Sequence, residues 1–168
     1  MQLIVLLLFV GTISRQQQSD FDLKNLKFME LDFYVTKEAI VNALGKGKRL
    51  ATNYECGFFA YDQKGAPYYQ LVYPNFNYIG SDKEKFFYLE NVNFDTAGIV
   101  TIKYLERELT GRTTEAEFVR IFGDSVKADF VKKGEENSLL LYSKGSDDGA
   151  VFIFRKERLF KLQYWTPC

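Results

Sequence analysis

The chain uses one helix-forming device twice, as T-K-E-A-I-V-N-A-L-G from Thr36 to Gly45 and as T-E-A-E-F-V-R-I-F-G from Thr114 to Gly123. Each copy opens on a Thr that can cap a helix and closes on a Gly suited to the left-handed position just past a helix end. In the later copy Glu117 stands three residues after Thr114, the spacing at which hydroxyl and carboxylate each satisfy an orphan backbone N-H. Thr36 has Ala39 there, so its cap has one bond fewer. Phe118, Ile121 and Phe122, like Ile40, Ala43 and Leu44, recur at i, i+3 and i+4, so each helix has one face to bury.

The segments C-terminal to the two helices repeat as well. Leu71-Val72-Tyr73 answers to Leu140-Leu141-Tyr142, and Phe94, Ile99, Ile102 and Tyr104 answer to Phe154, Leu159, Leu162 and Tyr164. The expected fold class is therefore α+β, with two tandem repeats, each a short helical segment packed on an antiparallel β-sheet. The first spans 35–105 and the second 112–168, with 106–112 as the link. The first copy holds extra residues over 74–91, an aromatic insertion. Strands are expected at 54–61, 68–73, 91–94, 99–105, 138–143, 150–155 and 158–165. Lys46 to Arg49, 132–137 and 144–149 read as polar turns.

Ahead of the first repeat, the unbroken apolar run Leu3 to Val10 precedes Gly11, Thr12, Ile13 and Ser14 and then a polar stretch. That is the layout of a signal peptide over 1–14, although only the amino terminus supplies positive charge before the run. The alternative is a buried strand or helix at the start of a cytosolic protein. Residues 15–34 form a lead-in with spaced apolar positions. The expected localisation is periplasmic or secreted, with no stable membrane anchor after cleavage.

Lys plus Arg equals Asp plus Glu at 22 each, so no basic field favours nucleic acid. Histidine is absent, which removes the commonest general base and metal ligand. Asp147-Asp148 and Glu135-Glu136 fall in turns where acids are common and lack the alternating spacing of a calcium loop. The chain is accordingly expected to be no enzyme, with no cofactor and no metal. Its two cysteines, Cys56 and Cys168, could bridge the end of the second repeat to the first in an exported protein. Otherwise Cys56 is a small buried residue and Cys168 a terminal thiol.

Thirteen aromatic residues fall between Tyr54 and Phe94, seven of them Tyr, a side chain that combines large contact area with a polar tip. Runs such as Phe58-Phe59, Tyr68-Tyr69 and Phe86-Phe87-Tyr88 place rings on both faces of a strand. Either one face is exposed or both are covered. On the first reading Tyr54, Phe59, Tyr61, Tyr69, Tyr73, Phe76, Tyr78 and Tyr88 are the anchors for another protein. The alternative function is a small apolar or carbohydrate ligand in a cleft between the repeats, walled by the same rings.

A helix ending in Leu/Phe-Gly, then a meander whose last hairpin reads apolar-x-Phe, turn, apolar-x-x-Ile/Leu, resembles the small envelope module of the BamE/SmpA family. Two in tandem resemble the β-lactamase inhibitory protein fold. The resemblance implies a non-catalytic module that presents a sheet face to a protein partner, as a periplasmic inhibitor or immunity-type protein would. The chain lacks the lipobox Cys of the anchored family members and cannot form a disulfide within each repeat.

Overall fold

A computed structural model describes residues 20–52, 54, 59–60 and 67–168. The two capped segments form helices. α1 spans Lys37–Leu44, with the Thr36 hydroxyl accepting from the Ala39 N-H. α2 spans Glu115–Phe122 and carries the full reciprocal box between Thr114 and Glu117. Gly45 and Gly123 end them at φ 75° and 93°, values open to glycine without Cβ strain.

Every strand pairing is antiparallel, and the described strands fall into two sheets. The smaller is built from β1 (Leu26–Phe28), β2 (Leu31–Asp32), β8 (Thr101–Tyr104) and β9 (Arg107–Thr110), in the order β2-β1-β8-β9. The larger has β4 (Lys48–Ala51), β5 (Tyr69–Val72), β6 (Phe76–Gly80) and β7 (Phe87–Asn93) toward one end. Toward the other lie β10 (Val131–Lys133), β11 (Glu136–Tyr142), β12 (Gly149–Arg155) and β13 (Arg158–Trp165). Its order is β10-β11-β12-β13-β7-β6-β5-β4, with β3 (Tyr34–Val35) also paired to β7. The fold is α+β, mostly antiparallel sheet with few helices. Among the described residues no helix is long and apolar enough to cross a membrane.

Several expectations need correction. The aromatic insertion 74–91 supplies β6 and most of β7, which sit in the middle of the large sheet. The hairpin expected from 91–94 and 99–105 does not form, because β7 pairs with β6, β3 and β13 while β8 joins the small sheet. The divergence begins at Asp95, whose carboxylate accepts from the Ile99 and Val100 N-H groups at 3.1 and 2.6 Å. Gly111 lies so close that a Cβ there would stand 2.0 Å from the Asp95 carbonyl oxygen, so only glycine admits this crossing. The link 106–112 is mostly the strand β9, and Lys48 and Arg49 open the edge strand β4 where a turn was expected.

The lead-in contributes Phe21, Leu23, Leu26, Phe28 and Phe33 to the core. Phe21 is buried between the two sheets, its ring 5.4 Å from Tyr104 on β8 and 6.0 Å from Phe152 on β12. Its carbonyl accepts from the Lys144 N-H, and the buried Leu23 N-H donates to Ser143 Oγ. α2 closes this layer, with Phe118 at 4.7 Å from Phe152 and 5.3 Å from Phe154. The N-terminus of α2 is tied to the β12–β13 turn by Glu115 N-H to the Glu157 carbonyl and Leu159 N-H to the Thr113 carbonyl.

Candidate interaction surface

The aromatic residues expected to anchor a partner are largely internal. Tyr78 is fully buried, and Tyr69 and Phe59 are buried too. Phe59 packs edge-on to Tyr68, Tyr88 and Tyr164 at 5.3, 5.4 and 5.7 Å. Tyr73 stacks on Phe76 at 4.7 Å and donates its hydroxyl to the Gly45 carbonyl, and Phe76 packs on Phe28 at 4.6 Å. Tyr88 meets Tyr34 at 5.2 Å. Tyr54 is the exception, 42% exposed, its hydroxyl donated to Glu90. Tyr61 and Cys56 lie outside the described residues; Cys168 is disulfide-bonded. The physical reason for the correction is position: strands in the middle of a sheet, with the core on one face and Tyr54 and Phe59 over the other, cover rings on both sides.

Beneath Tyr54 the covered face is polar. Glu90 is the extra residue where the register of β7 shifts against β6, since Asn77 pairs with Asn91 and Tyr78 with Leu89. Only 4% exposed, its carboxylate accepts from the Tyr54 hydroxyl, from Gln70 Nε2 at 2.7 Å and from Asn77 Nδ2. Three neutral donors thus satisfy one buried acid. Burial, and after it the Glu90 hydrogen bond, pushes the Tyr54 hydroxyl above the usual phenol range.

The face that no described residue covers belongs to the other end of the sheet. Cross-strand registers place Tyr142, Gly149 and Trp165 in one row and Leu140, Val151, Gln163 and Asn91 in the next. Ser138, Ile153, Lys161 and Asn93 make a third. The intervening residues Leu139, Phe152, Leu162 and Val92 point to the core and are buried. On the outward side Leu140, Val151, Ile153 and Trp165 are half-buried and Tyr142 is 44% exposed. None of the five packs against the core cluster among the described residues.

This surface is firmly held. Gly149 allows β11 and β12 to close up, since a Cβ there would lie 2.4 Å from the Leu141 carbonyl oxygen. The rings of Tyr142 and Trp165 then meet across it at 5.5 Å and 90°. At the far border Phe160, the extra residue where the β12–β13 register shifts, lies 3.8 Å below the Arg155 guanidinium. Arg155 is itself fixed by Glu136 at 2.6 Å. A rigid patch of half-exposed apolar side chains with a polar border has the composition of a protein contact. The sequence carried its signal: Leu139-Leu140-Leu141 and Ala150 to Phe154 are apolar on both faces, the same pattern that drew attention to the tyrosines.

Two open grooves flank α2. One, of roughly 690 Å³, lies between β9 and the helix and is lined by Glu106, Arg107, Glu108, Arg112, Glu117 and Arg120 among others. The second, of roughly 630 Å³, runs past Ala116, Val119 and Phe130. The aromatic walls expected of an apolar or sugar cleft are missing from the first and reduced to Phe130 in the second. Comparison with protein-family models, with curated proteins and with solved structures gives no match.

Proposed function

We propose that this chain is a non-catalytic protein-binding module whose contact surface is the open face of β11–β13. The observation that carries the reading is the uncovered patch of Leu140, Tyr142, Val151, Ile153 and Trp165 on a sheet whose opposite face is core. Apolar surface of this kind on a rigid sheet favours a partner that buries it. An exported inhibitor or immunity-type protein is the specific form of the proposal, and a disulfide at Cys168 fits the oxidising compartment it requires. With it goes the proposal that the halves are divergent copies of one helix-plus-sheet unit. The matching caps of α1 and α2 support this, and the different sheets taken by β8 and β13 are the divergence it must accommodate.

The test is capture from an envelope extract with the chain as bait, beside Leu140→Asp and Val151→Asp variants. These positions face outward, so the variants should keep the native circular dichroism. We expect one protein held stoichiometrically by the parent and lost by both variants. Trp165 is the chain's one tryptophan, so its emission should shift when that protein is added back. Equal capture by parent and variants, or unchanged emission, would remove the open face as the contact surface.

A further inference from the structure

The large sheet ends at β4, and its hydrogen-bond parity leaves a place for one more strand. The Thr52 N-H donates to the Tyr68 carbonyl at 3.4 Å, while the Tyr73 N-H donates the other way, to the Phe76 carbonyl on the β6 side. Backbone groups alternate in direction along an antiparallel strand. With Lys48 opposite Val72 and Leu50 opposite Gln70, those two residues bond to β5, and the N-H and C=O groups of Arg49 and Ala51 point outward. No described strand occupies that side, and all four residues of β4 are exposed.

Charges on an edge strand ordinarily repel further pairing. Here their arrangement selects instead. Arg49 is turned back onto the fold, its guanidinium 3.1 Å from Asp82 and 3.6 Å from the Tyr69 ring, which holds the strand in place. Lys46 and Lys48 are exposed and have no ion-pair partner among the described residues. Leu50, on the same face of the strand as Lys48, is 48% exposed. The edge therefore offers two donors, two acceptors, one apolar contact and two uncompensated ammonium groups.

We propose that β4 is the docking edge for an extended acidic segment of a partner protein, which joins the large sheet as a further strand. Its backbone bonds to Arg49 and Ala51, an apolar side chain covers Leu50, and its carboxylates meet Lys46 and Lys48. Backbone pairing gives such contacts their affinity and side chains their selectivity. The site stands apart from the open face of β11–β13, toward the opposite end of the strand order, so either proposal can fail without the other.

The test uses the whole chain and two labelled, end-blocked peptides, one alternating valine with glutamate and one alternating valine with lysine, with fluorescence anisotropy as the readout. The glutamate peptide should bind at least about tenfold more tightly, and Lys46→Glu with Lys48→Glu should abolish or invert that preference. Hydrogen exchange should show the Arg49 and Ala51 amides fast in the free protein and protected with the glutamate peptide, while Leu50 is unchanged. Ala51→Pro removes an outward donor without breaking the ladder to β5, so it should reduce binding while leaving the fold intact. Should that variant unfold, the exchange pattern and the charge reversal decide alone. No binding, equal binding of the two peptides, or no protection at Arg49 and Ala51 would overturn the proposal.

Discussion

Asp82 is the residue on which four segments converge. It sits in the turn between β6 and β7 and takes Lys37 Nζ at 2.6 Å, the Tyr69 hydroxyl at 2.5 Å and Arg49 at 3.1 Å. Lys37 first, then the Tyr69 hydroxyl, hold its carboxyl down at about 2, below the usual carboxylate range. A lowered folded pKa means stability that is present above the ordinary carboxylate pKa and lost as pH falls toward 2. The carboxylate is half-exposed, so the full linkage value is discounted for solvent screening to about 1 kcal/mol. Asp82→Asn should thus be about 1 kcal/mol less stable than the parent by urea unfolding at neutral pH, with the gap closing as pH falls from the ordinary carboxylate range through 2. A gap that did not narrow as pH fell to 2 would assign the effect to packing instead. Tyr78 makes the opposite case: its hydroxyl is buried without a hydrogen-bond partner among the described residues. Tyr78→Phe removes an unsatisfied group and leaves the ring, so stability should stay level or rise by up to about 1 kcal/mol. A loss of more than 1 kcal/mol in the same unfolding assay would contradict this.

At the scale of elements, what was legible in the sequence was what local chemistry determines. Both helices and both caps were readable because Thr, Glu and Gly act within one turn. Thr114→Ala should cost about 1 kcal/mol, because the hydroxyl's bonds with the Glu117 N-H and carboxylate are lost while the residue-114 N-H still donates to Glu117, and Thr36→Ala less, since Thr36 makes a single cap bond of 3.3 Å. Thermal melts that ranked the two the other way round would contradict the capping account. The strands β5, β11, β12 and β13 were readable from alternation and turn residues. Their partners were not, because pairing depends on contacts distant in sequence. Nothing local to Val92-Asn93-Phe94 reveals that β7 runs beside β13 or that Asp95 and Gly111 turn the chain into a second sheet. The tyrosines of β5–β7 were read as exposed anchors for a related reason. A strand that is apolar on both faces shows that something must cover it, but not whether a partner or the chain itself does. For β5–β7 it is partly the chain, through Phe59 and Tyr54. For β11–β13 no described residue does so.

For the molecule as a whole, the junction between β7 and β13 decides whether the two halves behave as one body. Val92 and Leu162 face each other across it and are both fully buried, and Phe94 N-H donates to the Phe160 carbonyl. Phe21 reinforces the union from the N-terminal side by filling the space between Tyr104 in the small sheet and Phe152 in the large one. A half cut at the link would expose that buried edge of β13 and lose the Phe21 ring that packs on Phe152. The halves should therefore unfold together. Trp165 on β13 reports the second half by fluorescence, and far-ultraviolet circular dichroism reports the whole chain, so their urea transitions should coincide. Phe21→Ala should lower both midpoints together, at a cost of about 3–5 kcal/mol, because its cavity belongs to both sheets. Two separated transitions would instead describe repeats that are merely tethered, and the open face would then sit on an independent unit able to bind by itself.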